Sequence, residues 1–253
     1  MQQCKILILA TSGYTTDLLH NSLAEQHEVI TLLETPERKG TLIRRRIKRN
    51  GLFKTLGQLA FMALIRPLLS KARIFEIIKS KKLNFGFLPE ERMKHISSVN
   101  DEIVISKIQE IEPDFIVING TRIISSSILN QITVPVVNIH VGITPKYRGV
   151  HGGYWALYNG QSELFGVTLH YVNAGIDTGQ IISQSVIEPD PKDNFNSYPI
   201  LQYIEGIELL KAKIGSILKK EKGQDSKLVS ESQLYYHPTF FQYLSKRISK
   251  GVK

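Results

Sequence analysis

Short apolar, β-branched runs alternate along this chain with stretches in which apolar residues recur every three or four positions. The first run, Lys5 to Thr11, leads through a turn at Ser12-Gly13 into a helical pattern from about Thr15 to Gln26 and a second run, Glu28 to Leu33. A strand, a helix and a strand in that order predict the start of a doubly wound sheet. Later runs at Asp114 to Gly120, Val134 to His140 and Gly166 to Val172 extend it. Helical spacing predicts helices over Val104–Gln109, Tyr154–Leu157 and Tyr198–Lys220. The predicted fold is α/β, a Rossmann-like, mostly parallel sheet. From Gly40 to about Leu83 the pattern is rich in Leu, Ile and Lys at helical spacing and predicts one or two helices, an insertion into that order. Pro189 to Pro191 breaks the chain, and the basic end, Lys246 to Lys253, reads as a solvated tail.

Composition adds bounds rather than detail. Apolar residues make up 42% of the 253 positions and charged residues 22%, as in an ordinary globular protein. Cys4 is the single cysteine, so no intramolecular disulfide can form and a cytoplasmic setting is expected. Neither Cys-x-x-Cys nor His-Glu-x-x-His occurs, and no metal is expected. The first apolar run is too short for a signal peptide. In the lipid-like stretch Leu52 to Leu69, Lys54 and Arg66 leave only eleven residues between them, too few to span a bilayer. The net charge of +9 is uneven, with Arg38-Lys39 and Arg44-Arg45-Arg46-Ile-Lys48-Arg49 in one dense cluster. Such a cluster suits a phosphorylated partner, an anionic membrane surface or RNA, and reads equally as a solvated helix face.

Candidate chemistry gathers at two strand ends. Asn138 and His140 alternate with apolar neighbours and project from the same side of one strand. In open α/β sheets ligands bind beyond the carboxyl ends of the strands. The next strand runs into Asn173-Ala-Gly-Ile-Asp-Thr-Gly179, where two glycines bracket Asp177. A carboxylate there can set the protonation of a nearby imidazole. An amide and an imidazole can stabilise an oxyanion, and the carboxylate can take the proton of an attacking amine. Each residue alone also has an ordinary reading, as a satisfied loop residue or a turn former. His170 reads equally as a partner of Asp177 and as a core histidine.

Taken together, Asn138-Ile-His140, Val141-Gly-Ile-Thr-Pro145, Arg148-Gly149 and Gly175-Ile-Asp-Thr-Gly179 resemble the formyltransferase family that uses 10-formyltetrahydrofolate. That resemblance implies Asn138, His140 and Asp177 as catalytic residues. It implies that Arg122, Ile123, Ile124 and Leu129, with Asn173, Ala174 and Gly175, hold the folate. It further implies a formyltransferase catalytic domain over residues 1–190, with the insertion at about 38–95, and a helical C-terminal extension over 191–253.

The acceptor is expected to meet Ser12, Gly13, Tyr147, Arg148 and Gly149. Tyr147-Arg148-Gly149 with Trp155-Ala156 and Asn159-Gly160 is closest to sugar N-formyltransferases, so an amino-sugar nucleotide of polysaccharide biosynthesis is the expected acceptor. Glycinamide ribonucleotide and a hydroxyornithine-type amine are the alternatives, and a non-catalytic folate- or nucleotide-binding protein is a further one. The tRNA enzyme of the family carries a C-terminal barrel for RNA, whereas residues 192–253 here read as mostly helical, so no nucleic acid is expected. The expected partners are a small-molecule amine, phosphorylated or nucleotide-linked, a weak anionic membrane surface and a second copy of the chain. A nicotinamide dehydrogenase is disfavoured because no G-x-G-x-x-G follows the first strand.

Overall fold

The computed structural model describes residues 3–84, 86 and 89–253. Its centre is a seven-stranded sheet. In chain order the strands are β1 (Lys5–Ala10), β2 (Glu28–Glu34), β3 (Met93–Ile96), β4 (Phe115–Asn119), β5 (Val136–His140), β7 (Gly166–Tyr171) and β8 (Ile181–Val186). They lie side by side as β3-β2-β1-β4-β5-β7-β8. The first five are parallel, β7 turns back antiparallel to β5, and β8 pairs antiparallel with β7 and so runs with the first five. A second, two-stranded pairing joins β6 (Arg148–Gly149) to β9 (Leu234–Tyr235).

Strand alternation divides the interior. Ile6, Ile8 and Ala10 of β1, with Val137 and Ile139 of β5, point into one core. There they meet α1 (Tyr14–Ala24), α4 (Ala72–Ser80) and α8 (Tyr198–Leu218). Leu7 and Leu9 point the other way, onto α5 (Ile103–Ile111) and α6 (Ser126–Leu129). Gly206 is where α8 crosses β5: a Cβ there would meet the Ile139 side chain. A third, aromatic core holds Phe61, Tyr147, Tyr154, Trp155, Phe165, Phe195, Tyr235 and Tyr243. It lies beneath α7 (Gly152–Asn159) and α9 (Phe240–Lys250).

The insertion is three helices rather than one or two. They are α2 (Lys39–Asn50), α3 (Leu52–Ala60) with a π turn (Phe61–Ile65) and a 3-10 turn (Arg66–Leu68), and α4. Gly51, at φ 79, ends α2 and begins α3. Ile74, Ile77 and Ile78 tie α4 into the main core, while α2 buries no residue fully. The C-terminal residues are not a solvated tail. Thr239 and Gln242 form a capping box that starts α9, and Tyr243 packs its ring 5.0 Å from that of Phe61. The cations of Lys246 to Lys250 suggested solvation, but they flank the buried Tyr243 on the core-facing side of the helix, and Lys246 lies 4.6 Å over the Tyr158 ring.

Candidate active site

Asn138 and His140 end β5, and Asp177 sits in the loop between β7 and β8. Asp177 has a left-handed backbone, φ 50, which turns its carboxylate back over the end of β5. Its Oδ1 accepts from Asn138 Nδ2 at 3.3 Å, and its Oδ2 lies 3.3 Å from His140 Nδ1. The backbone N–H of Gly149 donates to the same Oδ2 at 2.8 Å. Arg148 holds the loop from outside, its Nη1 donating to the Ile176 carbonyl at 3.2 Å.

His170 belongs to this cluster. Its Nδ1 donates to the Tyr171 carbonyl at 2.7 Å, which leaves Nε2 as an acceptor for the second N–H of Asn138, at 3.2 Å. Both amide hydrogens of Asn138 are therefore engaged. His140 is buried, and its Nε2 lies 2.7 Å from the Tyr147 carbonyl. Both ring nitrogens of His140 thus face acceptors. In the neutral ring only one of them can donate.

Burial pushes the His140 imidazole below the ordinary histidine range, against the opposing pull of Asp177 and the Tyr147 carbonyl. Burial works against ionisation of Asp177 as well. There the neighbouring His140 and the Gly149 N–H prevail, and hold the carboxyl well below the usual carboxylate range.

Two adjoining cavities meet at this point. One, of about 480 Å³, holds Asn138, His140, His170 and Asp177, with an apolar wall that includes Ile118, Ile124, Ile139, Val141 and Val172. The other, of about 530 Å³, lies between α2 and the C-terminal segment, with Arg45, Arg46, Arg49, Tyr236 and His237 in its wall. Gly120 to Ile123, Gly149, Val150 and Ile176 border both.

The residues expected to hold folate divide. Arg122, Ile123, Ile124, Asn173 and Gly175 line the first cavity. Leu129 instead packs into the second core, and Ala174 is not in the cavity wall. The Arg122 side chain points away, donating to the carbonyls of Thr35 at 2.7 Å and Ser97 at 3.3 Å. Its partner is Glu34, a buried carboxylate at the end of β2 that also accepts from the backbone N–H groups of Arg122 and Val99, each at 2.9 Å. The apolar run ending in Glu34 carried that signal, and sequence reading passed over it.

Of the expected acceptor residues, Gly149 borders both cavities, and Arg148 acts through the Ile176 carbonyl. Tyr147 corrects the expectation. Its ring is fully buried against Tyr235, and only its carbonyl serves the site. Ser12 and Gly13 face neither cavity. Arg46, Arg49 and Tyr236 take their place in the wall. Arg49 lies 4.1 Å over the Tyr236 ring, and Arg46 is half-buried with the Met62 sulfur 3.3 Å from its Nη1. Among the described residues neither arginine has a carboxylate within 4.0 Å. Burial and the neighbouring Arg49 push the Arg46 guanidinium below its ordinary value.

A parallel α/β sheet that delivers an amide, a buried imidazole and an ionised carboxylate to one cleft defines a catalytic fold of the doubly wound class. A model of the formyl transferase family matches residues 70–199, more than half of the chain, and the chain belongs to that family. Methionyl-tRNA formyltransferase of Thermodesulfovibrio yellowstonii is 31% identical over 141 residues, 55% of this chain and 44% of that one. The Staphylococcus epidermidis protein of the same name is 26% identical over 215 residues, 85% of this chain and 59% of its own. The chain spans about half or less of the length of the first relatives it matches.

Solved structures agree on the fold. A sugar N-formyltransferase from Shewanella sp FDAARGOS_354 superposes with a TM-score of 0.57 at 16% identity, covering 92% of this chain and 77% of that one. Phosphoribosylglycinamide formyltransferase from Anaplasma phagocytophilum gives 0.57 at 15%, covering 92% and 98%.

Proposed function

We propose that this chain transfers a formyl group from 10-formyltetrahydrofolate to the primary amine of an amino-sugar nucleotide. The observation that carries the reading is the meeting of Asn138, His140 and Asp177 where an apolar cleft opens onto an arginine-lined one. The chemistry of the first cleft suits a folate: apolar walls for a flat ring, and Asn173, Gly175 and Ile176 along its polar edge. When bound, the folate supplies an activated one-carbon acyl group.

The protein's own share follows from the geometry. Asn138 has no free N–H, and of its two bonds the one to the charged Asp177 oxygen, at 3.3 Å, is the longer. The formyl oxygen, as it gains negative charge, competes for that hydrogen. The ionised Asp177 accepts a hydrogen bond from the amine and orients its lone pair toward the formyl carbon. A carbon–nitrogen bond forms there, the bond from that carbon to the folate nitrogen breaks, and the amine proton ends on that nitrogen. Asp177 Oδ2 and His140 Nδ1 lie 3.3 Å apart, a gap that a proton in transit would bridge.

In the second cleft two unpaired guanidinium groups match the doubled charge of a diphosphate better than a single phosphate. The half-buried Tyr236 ring beside them, with Arg49 over it, gives the cleft an aromatic wall that suits a base. This grip on the acceptor replaces one at the loop after β1, since Ser12 and Gly13 lie outside both clefts. A free hydroxyornithine-type amine would leave the arginines unused.

The test is release of tetrahydrofolate from 10-formyltetrahydrofolate in the presence of amino-sugar nucleotides, glycinamide ribonucleotide, hydroxyornithine or methionyl-tRNA. Release is expected with an amino-sugar nucleotide alone. His140→Ala and Asp177→Ala are each expected to lower turnover at least about a hundredfold. Release with another acceptor overturns the substrate. Folate binding without release from any acceptor favours a non-catalytic binder.

A further inference from the structure

The insertion and the C-terminal helix together present a surface that the formyl-transfer reading leaves unused. Residues 38–75 contain eleven lysines and arginines and no aspartate or glutamate; Arg46 and Arg49 belong to the second cleft, Arg45 pairs with Glu37 and Arg73 with Asp193, while Lys54, Arg66 and Lys71 stand exposed. Residues 232–253 add Lys246, Arg247, Lys250 and Lys253, again with no carboxylate. These two segments pack against each other. Gly57 of α3 is so close to Thr239, the cap of α9, that a Cβ on it would lie 3.0 Å from the Thr239 Cβ.

Apolar side chains stand out from the same junction. Phe53, Leu56, Leu64 and Leu68 follow one another at helical spacing through α3 and the turns after it, and Phe53 is 88% exposed. On α9, Phe241 is 77% and Ile248 82% exposed. Phe53, Leu56, Leu64, Phe240 and Phe241 line a shared groove of about 850 Å³, with Lys54 in its wall. Exposed apolar patches of this kind mark interaction sites.

We infer that this face lies on an anionic membrane surface. Phe and Leu on a helix face flanked by Lys and Arg form the pattern of a helix lying in the interface, its apolar side chains among the lipid headgroups. Among the described residues no single helix is long and apolar enough to cross a membrane. Leu52–Leu68 and Ala72–Ser80 have the length and composition only together, across a 65° bend. The buried isoleucines of α4 keep that second helix in the protein core. The surface therefore rests on a bilayer and does not span it.

Charge decides against the other occupants. Face-to-face pairing of two copies would bring two carboxylate-free, cationic surfaces together. RNA would engage the cations but gains little from aliphatic Leu56, Leu64, Leu68 and Ile248, since it is bound through stacking on aromatic rings.

The experiment is sedimentation of the whole chain with vesicles of phosphatidylcholine alone or containing phosphatidylglycerol. Binding is expected only to the anionic vesicles and should fall as salt rises. The doubly substituted Phe53→Ser/Phe241→Ser chain should bind roughly tenfold less, because an apolar anchor is lost. Both positions are exposed, so its melting curve should match that of the unaltered chain. Lys54→Glu, in the wall of the groove, should weaken binding through charge alone. No sedimentation with anionic vesicles, or equal sedimentation of the serine variant, overturns the inference. So does a concentration-dependent dimer that the serine variant abolishes.

Discussion

The side chains at this site divide between those that face the clefts and those that hold the others in place. Glu34 is the clearest of the second kind. It is buried, pairs with Arg122 at 3.3 Å and accepts the backbone N–H groups of Val99 and Arg122. Glu34→Ala leaves a half-buried guanidinium and two backbone donors without their acceptor. The expected loss is about 3 kcal/mol of stability, read by chemical denaturation, with weaker folate binding because Arg122 to Ile124 border the first cleft. An unchanged denaturation midpoint would deny Glu34 that role. Asn138, His140 and Asp177 were legible because their spacing and the glycines around Asp177 form a pattern. His170 was read as a partner of Asp177 and as a core histidine alike, and Glu34 was not read at all, since a polar residue in a strand shows its partner only once the sheet exists. Tyr147 misled for the opposite reason: it stands beside Arg148 in sequence, but its ring turns into the aromatic core.

Between elements, two joints decide how the clefts hold their shape. In the first, His151 at the start of α7 meets His237 before α9, with Nε2 and Nδ1 3.0 Å apart. One ring must donate and the other accept, so both are neutral in the folded chain. Burial first, and then the nearby Arg46, Arg66 and Arg49, push His237 down from 6.5 to about 4. Burial and His237 drive His151 well below its ordinary value. Between these limits the unfolded chain binds protons that the folded chain refuses. Stability is therefore complete above about 6.5 and should fall as pH drops from there toward about 4. His237→Gln, which cannot take up a proton, should flatten that slope in denaturation series across the window. A slope identical to that of the unaltered chain would exclude the pair as its source.

The second joint is the pairing of β6 with β9. Gly149 has φ 93, and a Cβ on it would run into the Tyr235 carbonyl oxygen. Gly149→Ala is expected to open the pairing at a cost of about 1–3 kcal/mol and to withdraw an N–H from Asp177. Turnover should then fall further than stability alone explains, which assays well below the melting temperature would detect. Two-residue strands such as these leave no periodic trace in a sequence, which is why the joint was not foreseen.

For the whole molecule, sequence patterning foretold β1, β2, β4, β5 and β7, because those five apolar runs each carry their own period, and missed the four-residue β3. The strand β8 was hidden, since Ile-Ile-Ser-Gln-Ser-Val carries polar residues into the sheet. The second cleft was hidden altogether. It needs α2 from early in the chain and Tyr236 from near its end. The same topology bears on the order in which the protein is completed. Arg148 and Val150 hydrogen-bond with Gln233 and Tyr235, and Gly149 between them holds the Asp177 carboxylate. During synthesis, the sheet and Asp177 leave the ribosome well before residues 233–235 do. A nascent chain can thus bury its core while its catalytic loop still lacks its brace, and the site is completed only when that last strand emerges.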